Sequence, residues 1–406
     1  MKLTKIIIGI LCATVLSTCY FYGVHKGLNS RITVGFELDA ASISIALSRL
    51  WYRLYEGYVG YRDVYNALFH VLVPDSNPNN PLNFHLLSEP QAIQQGFDYV
   101  KSLVPAHPPR FHFFPHNILS ADFISVNMED HGLADFYTLA FLLFGVQPTA
   151  MYSLYFLLMG FSVVLFISEY RHQLFPMILI GLMVSTFSIF FFSSLFNTPM
   201  LPSVNSNRFM STLGFIPIAH ALCIYFKPLQ TLNRIQLYRL LAQALLFAFA
   251  LSIRSSAQWQ LIALIVFTLM IAMPVYWPYR KRFFELDRLR QLKHPVLMAT
   301  LVFTMIVSGY QAIQGMMLNP VYHTDCSPPY HGIWHSAYLG LAVHPDWMKL
   351  NMQNPITASI DDGNSWRMFE KYMKERGLDP VCHITGGVYA GLAGTSHASG
   401  MVSFYR

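Results

Sequence analysis

Charge is what this chain has least of: only 12% of its 406 residues are Asp, Glu, Lys or Arg. A soluble domain carries about a quarter. Hydrophobic residues make up 54%, and the mean hydropathy is +0.38, which excludes an ordinary soluble enzyme. There is no zinc-finger spacing, no aromatic RNA-binding signature and no basic tail. Nucleic acid is therefore not an expected partner, and the net charge of +6 points to anionic lipid headgroups instead. No internal repeat is found, although a transporter built from repeated halves would show one. Cysteine is sparse, with five in all. Cys12, Cys19 and Cys223 sit in apolar runs as packing residues. Cys326 and Cys382 fall in the carboxyl-terminal tail, where spacing alone does not decide between a disulfide and two free thiols.

Long apolar runs fill the rest. They read as seven helices near 5–24, 149–168, 174–196, 210–226, 237–252, 257–277 and 296–316, each close to the ~20 residues that cross a hydrocarbon core. The fifth is short, and with the sixth it could form one broken hairpin around Arg254. Lys2 and Lys5 ahead of the first run resemble a signal peptide, but Tyr20, Phe21 and Tyr22 stand where small residues would mark a cleavage site. An uncleaved helix with an aromatic belt fits better.

The basic residues orient these spans. Of 27 Lys and Arg, 12 lie at the amino terminus or in three short connections: Lys2 and Lys5; Arg171; Lys227, Arg234 and Arg239; and Arg280, Lys281, Arg282, Arg288, Arg290 and Lys293. Such loops stay cytoplasmic. The expectation is an all-α polytopic membrane protein of the bacterial inner membrane, amino terminus inside and carboxyl terminus outside. Residues 1–24 form the first span, 25–148 a long extracytoplasmic loop, 149–316 a six-helix region and 317–406 a small extracytoplasmic end.

Within the loop, Ala40 to Tyr61 is aromatic and amphipathic with Arg49 and Arg53 interleaved, which predicts a helix lying in the membrane interface. Residues Pro74–Pro81 read as a turn-rich loop and Glu89–Leu103 as a soluble helix. The loop closes on Glu129, Asp130 and Asp135, followed by an apolar stretch, Phe136 to Phe144, too short to span. In the tail a helix is expected at Ser365–Arg376, after the turn Asp361-Asp362-Gly363-Asn364.

One span, a long outer loop with an acidic pair near its start and an interfacial helix, then further spans, resembles the GT-C superfamily of membrane glycosyltransferases. Leu133-Ala134-Asp135-Phe136-Tyr137 through Leu143-Phe144-Gly145 resembles their recurrent loop-to-span segment, without the proline pair that precedes the tyrosine there. The resemblance implies a lipid-phosphate-linked sugar donor, an extracytoplasmic acceptor and an outer-loop carboxylate as base. By that resemblance the base is Asp39, with Glu37 second; the competing reading is a solvated pair, one member capping a helix that starts near Ala41.

Arg208 and Arg254 are the cations of short outer connections, each among small polar residues. An arginine fork suits a phosphate, so they are candidates for holding the donor; snorkelling to headgroups or pairing with a loop acid is the alternative. Glu129 and Asp130 could bind a divalent cation, assist a base, or simply complement a helix dipole. His331 and His335 are four apart but flank Gly332 and lack the glutamate of a zinc-protease motif, so they suit an acceptor pocket better than a metal site. The competing class is a non-enzymatic assembly partner or transporter of an envelope complex. Composition and spacing leave the sugar, the metal dependence and the oligomeric state open.

Overall fold

Capping and neutralised charge set several helix ends. In the computed structural model, residues 2–27, 36–52, 59–61, 97–98, 101–102, 123–125, 131–147, 149–196, 210–224, 233–276 and 295–317 are described. They are almost entirely helical: α1 (Lys2–Gly27), α2 (Phe36–Tyr52), α3 (His131–Phe144), α4 (Ala150–Tyr170), α5 (Leu174–Phe196), α6 (Phe215–Cys223), α7 (Arg234–Ile253), α8 (Trp259–Tyr276) and α9 (Pro295–Met317). Short 3-10 turns, Ser211–Gly214 and Ser255–Gln258, lead into α6 and α8. The exception is a ribbon of β1 (Val59–Tyr61) and β2 (Phe123–Ser125), antiparallel with Gly60 opposite Ile124. The chain divides into two units, Met1–Val126 with Asp130–Ile313, and Asn127–Glu129 with Gln314–Arg406. The described residues belong to the first unit, apart from the last turn of α9.

Among the described residues, α4, α5, α7 and α9 are long and apolar enough to cross a bilayer. Parts of α1, α3, α6 and α8 are apolar but shorter. Large apolar side chains stand exposed along these helices, including Ile10 at 61%, Leu182 at 61%, Ile189 at 68% and Met305 at 64%. Water would penalise such surfaces and lipid does not. This is a helical membrane protein.

The span expected at 237–252 lengthens to Arg234–Ile253 because Asn233 and Gln236 form a reciprocal cap. The Asn233 side chain accepts from the Gln236 N–H at 2.9 Å, and the Gln236 side chain accepts from the Asn233 N–H at 3.0 Å. Likewise α4 runs two residues past its expected end and takes in Glu169, its side chain 2% exposed, because Arg239 of α7 donates to its carboxylate at 2.8 Å. The hairpin expected around Arg254 is sharply broken: α7 stops at Ile253, Arg254 is extended (φ −143, ψ 106), and a 3-10 turn restarts the chain.

Side-chain contacts fix which helices run parallel and which antiparallel. Tyr20 near the end of α1 lies 3.2 Å from Ser153 at the start of α4, while Ile8 near the start of α1 packs over Gly181 in the first half of α5. Tyr155 bonds Thr212 at 2.5 Å, and one helix length away Tyr170 donates to the His220 carbonyl at 2.7 Å. Ser162 and Gln243 exchange two hydrogen bonds of 2.8 Å midway along α4 and α7. Thus α4 runs antiparallel to α1 and α7, and the polar clasps satisfy groups that lipid cannot.

Two expectations for the first loop change. Helix α2 begins at Phe36, so Asp39 does not cap a helix starting near Ala41; Glu37 and Asp39 lie inside its first turn, where the dipole favours acids. Nor does α2 lie as an amphipathic helix with one open face. Every residue from Ser42 to Arg49 is buried, and the helix ends at Tyr52, before the ribbon. Small side chains, Ser42, Ser44, Ala46 and Ser48, let neighbours close around it. In the stretch expected as a soluble helix, residues 97, 98, 101 and 102 are helical, and Phe97 packs edge-on against Phe141 of α3. The turn at Pro74–Pro81, the tail helix, Cys326 and Cys382 lie outside the described residues.

Candidate functional site

Helix α3 is the hub of the membrane-edge region. Its 14 residues reach about 21 Å, short of the ~30 Å hydrocarbon core. It packs against α2, α4 and α7, burying Leu133, Ala134, Phe136, Tyr137, Ala140 and Phe141. At its start Gly132 lies directly on the end of α7: an added Cβ would run into Ser252 and come within 2.5 Å of the Ile253 nitrogen. One turn on, Phe136 stacks on Phe249 of α7 with ring centroids 6.2 Å apart. At the other end of α3, Gly145 takes φ +80 and turns the chain toward α4.

Two charges of opposite sign meet on this hub. Arg49 of α2 donates from Nη1 to Oδ1 of Asp135 at 2.7 Å and to the Thr138 hydroxyl at 3.4 Å. Thr138 in turn donates to the Ala134 carbonyl at 2.7 Å. The Arg49 side chain is 7% exposed and that of Asp135 24%. Desolvating such a pair offsets most of its Coulomb gain, but removing one partner strands the other. Tyr310 of α9 lies near the group, within electrostatic range of Asp135 and Arg49. Ser252 donates its own proton to the Phe249 carbonyl at 2.7 Å.

Arg254 is half-buried and follows directly on this contact. Its carbonyl accepts the Ala257 N–H at 3.0 Å, which starts the 3-10 turn, and its neighbour Ile253 touches Gly132. The guanidinium-bearing residue is thereby brought beside Gly132, in the first turn of α3. Asp39 shares α2 with Arg49, ten residues earlier, about 15 Å along the axis. The side chains of Glu37 and Asp39, and all of Arg208, Glu129, Asp130, His331 and His335, lie outside the described residues. Among the described residues no three His, Cys, Asp or Glu side chains converge as a metal site would need.

Sequence reasoning noticed Arg49 as one cation of an amphipathic helix and Asp135 as one acid of a cluster. It did not join them. The available signal was that each is a single charge in an apolar stretch, 86 residues apart, and buried charges are normally paired. Ser252, Tyr310 and Gly132 carried no signal, because hydroxyls and glycines are common in membrane helices. No protein-family model, curated protein or solved structure matches the chain, so a functional reading rests on its own residues and geometry.

Proposed function

We propose that the protein is a membrane glycosyltransferase that moves a sugar from a polyprenyl-phosphate-linked donor to an extracytoplasmic acceptor. The observation that carries the reading is the junction of α3 with the end of α7. The segment that resembles the loop-to-span entry of GT-C enzymes is seated, through Gly132, against the break that holds Arg254. A phosphate at the membrane edge suits an arginine there, with the N–H groups of the following 3-10 turn beside it. In this reading Arg254 and Arg208 hold the donor phosphate, and Asp39, or Glu37, takes the proton from the acceptor hydroxyl. Glu129, Asp130, His331 and His335 are the residues this reading assigns to the acceptor or to a divalent cation, which carboxylates would ligate. The chain crosses the inner membrane seven times, amino terminus in the cytoplasm, so that the insertion and the tail share the outer compartment.

Two variants test this. Wild-type protein purified from native membranes should carry polyprenyl-phosphate lipids detectable by mass spectrometry, and Arg254→Ala should lose them. Asp39→Asn should keep the lipid yet abolish the chain's contribution to an envelope glycan. Cells carrying either variant that match wild type, at equal protein levels, would sink the transferase reading. Labelling with an impermeant maleimide should reach a cysteine in 317–406 and not one in 280–293.

A further inference from the structure

Helices α4 and α7 run antiparallel and meet along a seam, at Ser162 with Gln243 and at Glu169 with Arg239. Each also carries an exposed apolar stripe: Leu157, Phe161 and Val164 on α4, Tyr238 and Leu245 on α7. Leu157 and Val164 precede the seam residues Ser162 and Glu169 by five positions, and Tyr238 precedes Gln243 by five. Both stripes therefore stand about 140° from the seam. In an antiparallel pair equal offsets open on the same side, so the stripes are the walls of one shallow groove. Each stripe also ends on an exposed arginine. Arg171 follows Val164 by seven positions on the same face and keeps helical angles (φ −52, ψ −19). Arg234 precedes Tyr238 by four and opens α7. Both lie beyond the Glu169–Arg239 clasp, at the same end of the groove.

We infer that this groove seats an anionic phospholipid, with its headgroup at the end marked by Arg171 and Arg234 and its acyl chains along the two stripes. The charge there calls for an anion. Arg171 donates its Nε to His172 at 3.0 Å, and among the described residues neither arginine pairs with an acid. The carboxylate at this end, Glu169, is taken by Arg239, and positions 171–173 and 225–233 contain no acidic residue. An arginine fork suits a phosphate, and basic side chains at helix ends attract anionic headgroups. The apolar walls next to them suit the rest of an amphiphile and not a free anion. A second copy of the chain is disfavoured as occupant, because a two-fold contact on this face would bring the arginines toward their own counterparts. The inference does not depend on the transferase reading.

The test is lipid retention by the detergent-purified full-length protein, read by native mass spectrometry with phosphatidylglycerol or phosphatidylcholine added. Wild type should retain phosphatidylglycerol on the order of tenfold better. Arg171→Gln/Arg234→Gln should bring the two lipids level. Val164→Trp, which fills the groove, should lower retention of both lipids, whereas Leu182→Trp, on an exposed part of α5, should not. Inorganic phosphate should leave the bound lipid in place. Equal retention of the two lipids by wild type, or a glutamine double that still prefers phosphatidylglycerol, would overturn the inference. So would a Val164→Trp protein that holds lipid as wild type does, or a Leu182→Trp protein that loses it equally. Displacement of the lipid by inorganic phosphate would make the arginines a site for a free anion and also sink the groove. The measurement needs no enzymatic activity, so this inference and the transferase reading fail separately.

Discussion

Replacing Gly132 by alanine puts a methyl group where α7 already stands. The new Cβ would run into Ser252 and lie 2.5 Å from the Ile253 nitrogen, against ordinary contact at 3.4–4 Å. Both obstacles include backbone, which cannot rotate away. The start of α3 must therefore retreat by about 1 Å, thinning the Phe136–Phe249 stack behind it; overpacking of this kind costs roughly 1–3 kcal/mol. Gly160 of α4 and Gly309 of α9 are the controls, since nothing lies within 4 Å of a Cβ at either. Alanine there adds helix propensity, up to about 1 kcal/mol. Thermal unfolding of detergent-purified protein should show Gly132→Ala falling by several degrees while Gly160→Ala and Gly309→Ala hold or rise. Equal midpoints for Gly132→Ala and Gly160→Ala would refute the close approach of α3 and α7, and with it the seating of Arg254.

The other expected outcomes concern the clasps that hold the helices in place. Glu169→Ala removes the carboxylate partner of Arg239, whose side chain is 30% exposed and keeps the Ser168 carbonyl at 3.2 Å; the loss should be a few kcal/mol at most, seen as a lower unfolding midpoint that Glu169→Ala/Arg239→Met partly restores. Gln243→Leu removes both bonds to Ser162 and should cost only about 0.6–1.7 kcal/mol, because the Ser162 hydroxyl can turn to its own helix. A double-mutant cycle with Ser162→Ala measures the coupling.

Several features were legible from the residues alone because they depend on local pattern. Runs near twenty apolar residues announce spans whatever they pack against, which is why 174–196 and the observed α5 coincide. The stretch ending at Phe144 was readable as too short to span by length alone. Harder to read was α2, because amphipathicity shows that one face is apolar and says nothing of what covers the other. Its serines look like a wetted face until neighbours enclose them. The end of α4 misled for a related reason: Glu169 looks like a span terminator until Arg239 arrives from 70 residues away.

Membrane residence, the helical class and the short helix ahead of α4 follow from hydropathy and chain length, because a bilayer imposes a thickness and forbids unbonded backbone. Tertiary structure decided which charges are partners: Arg49 with Asp135, Glu169 with Arg239. It also decided that Gly132 brings Arg254 beside the start of α3. Pairing across 70 or 86 residues is set by how helices pack, and a lone charge in an apolar run says only that it needs a partner.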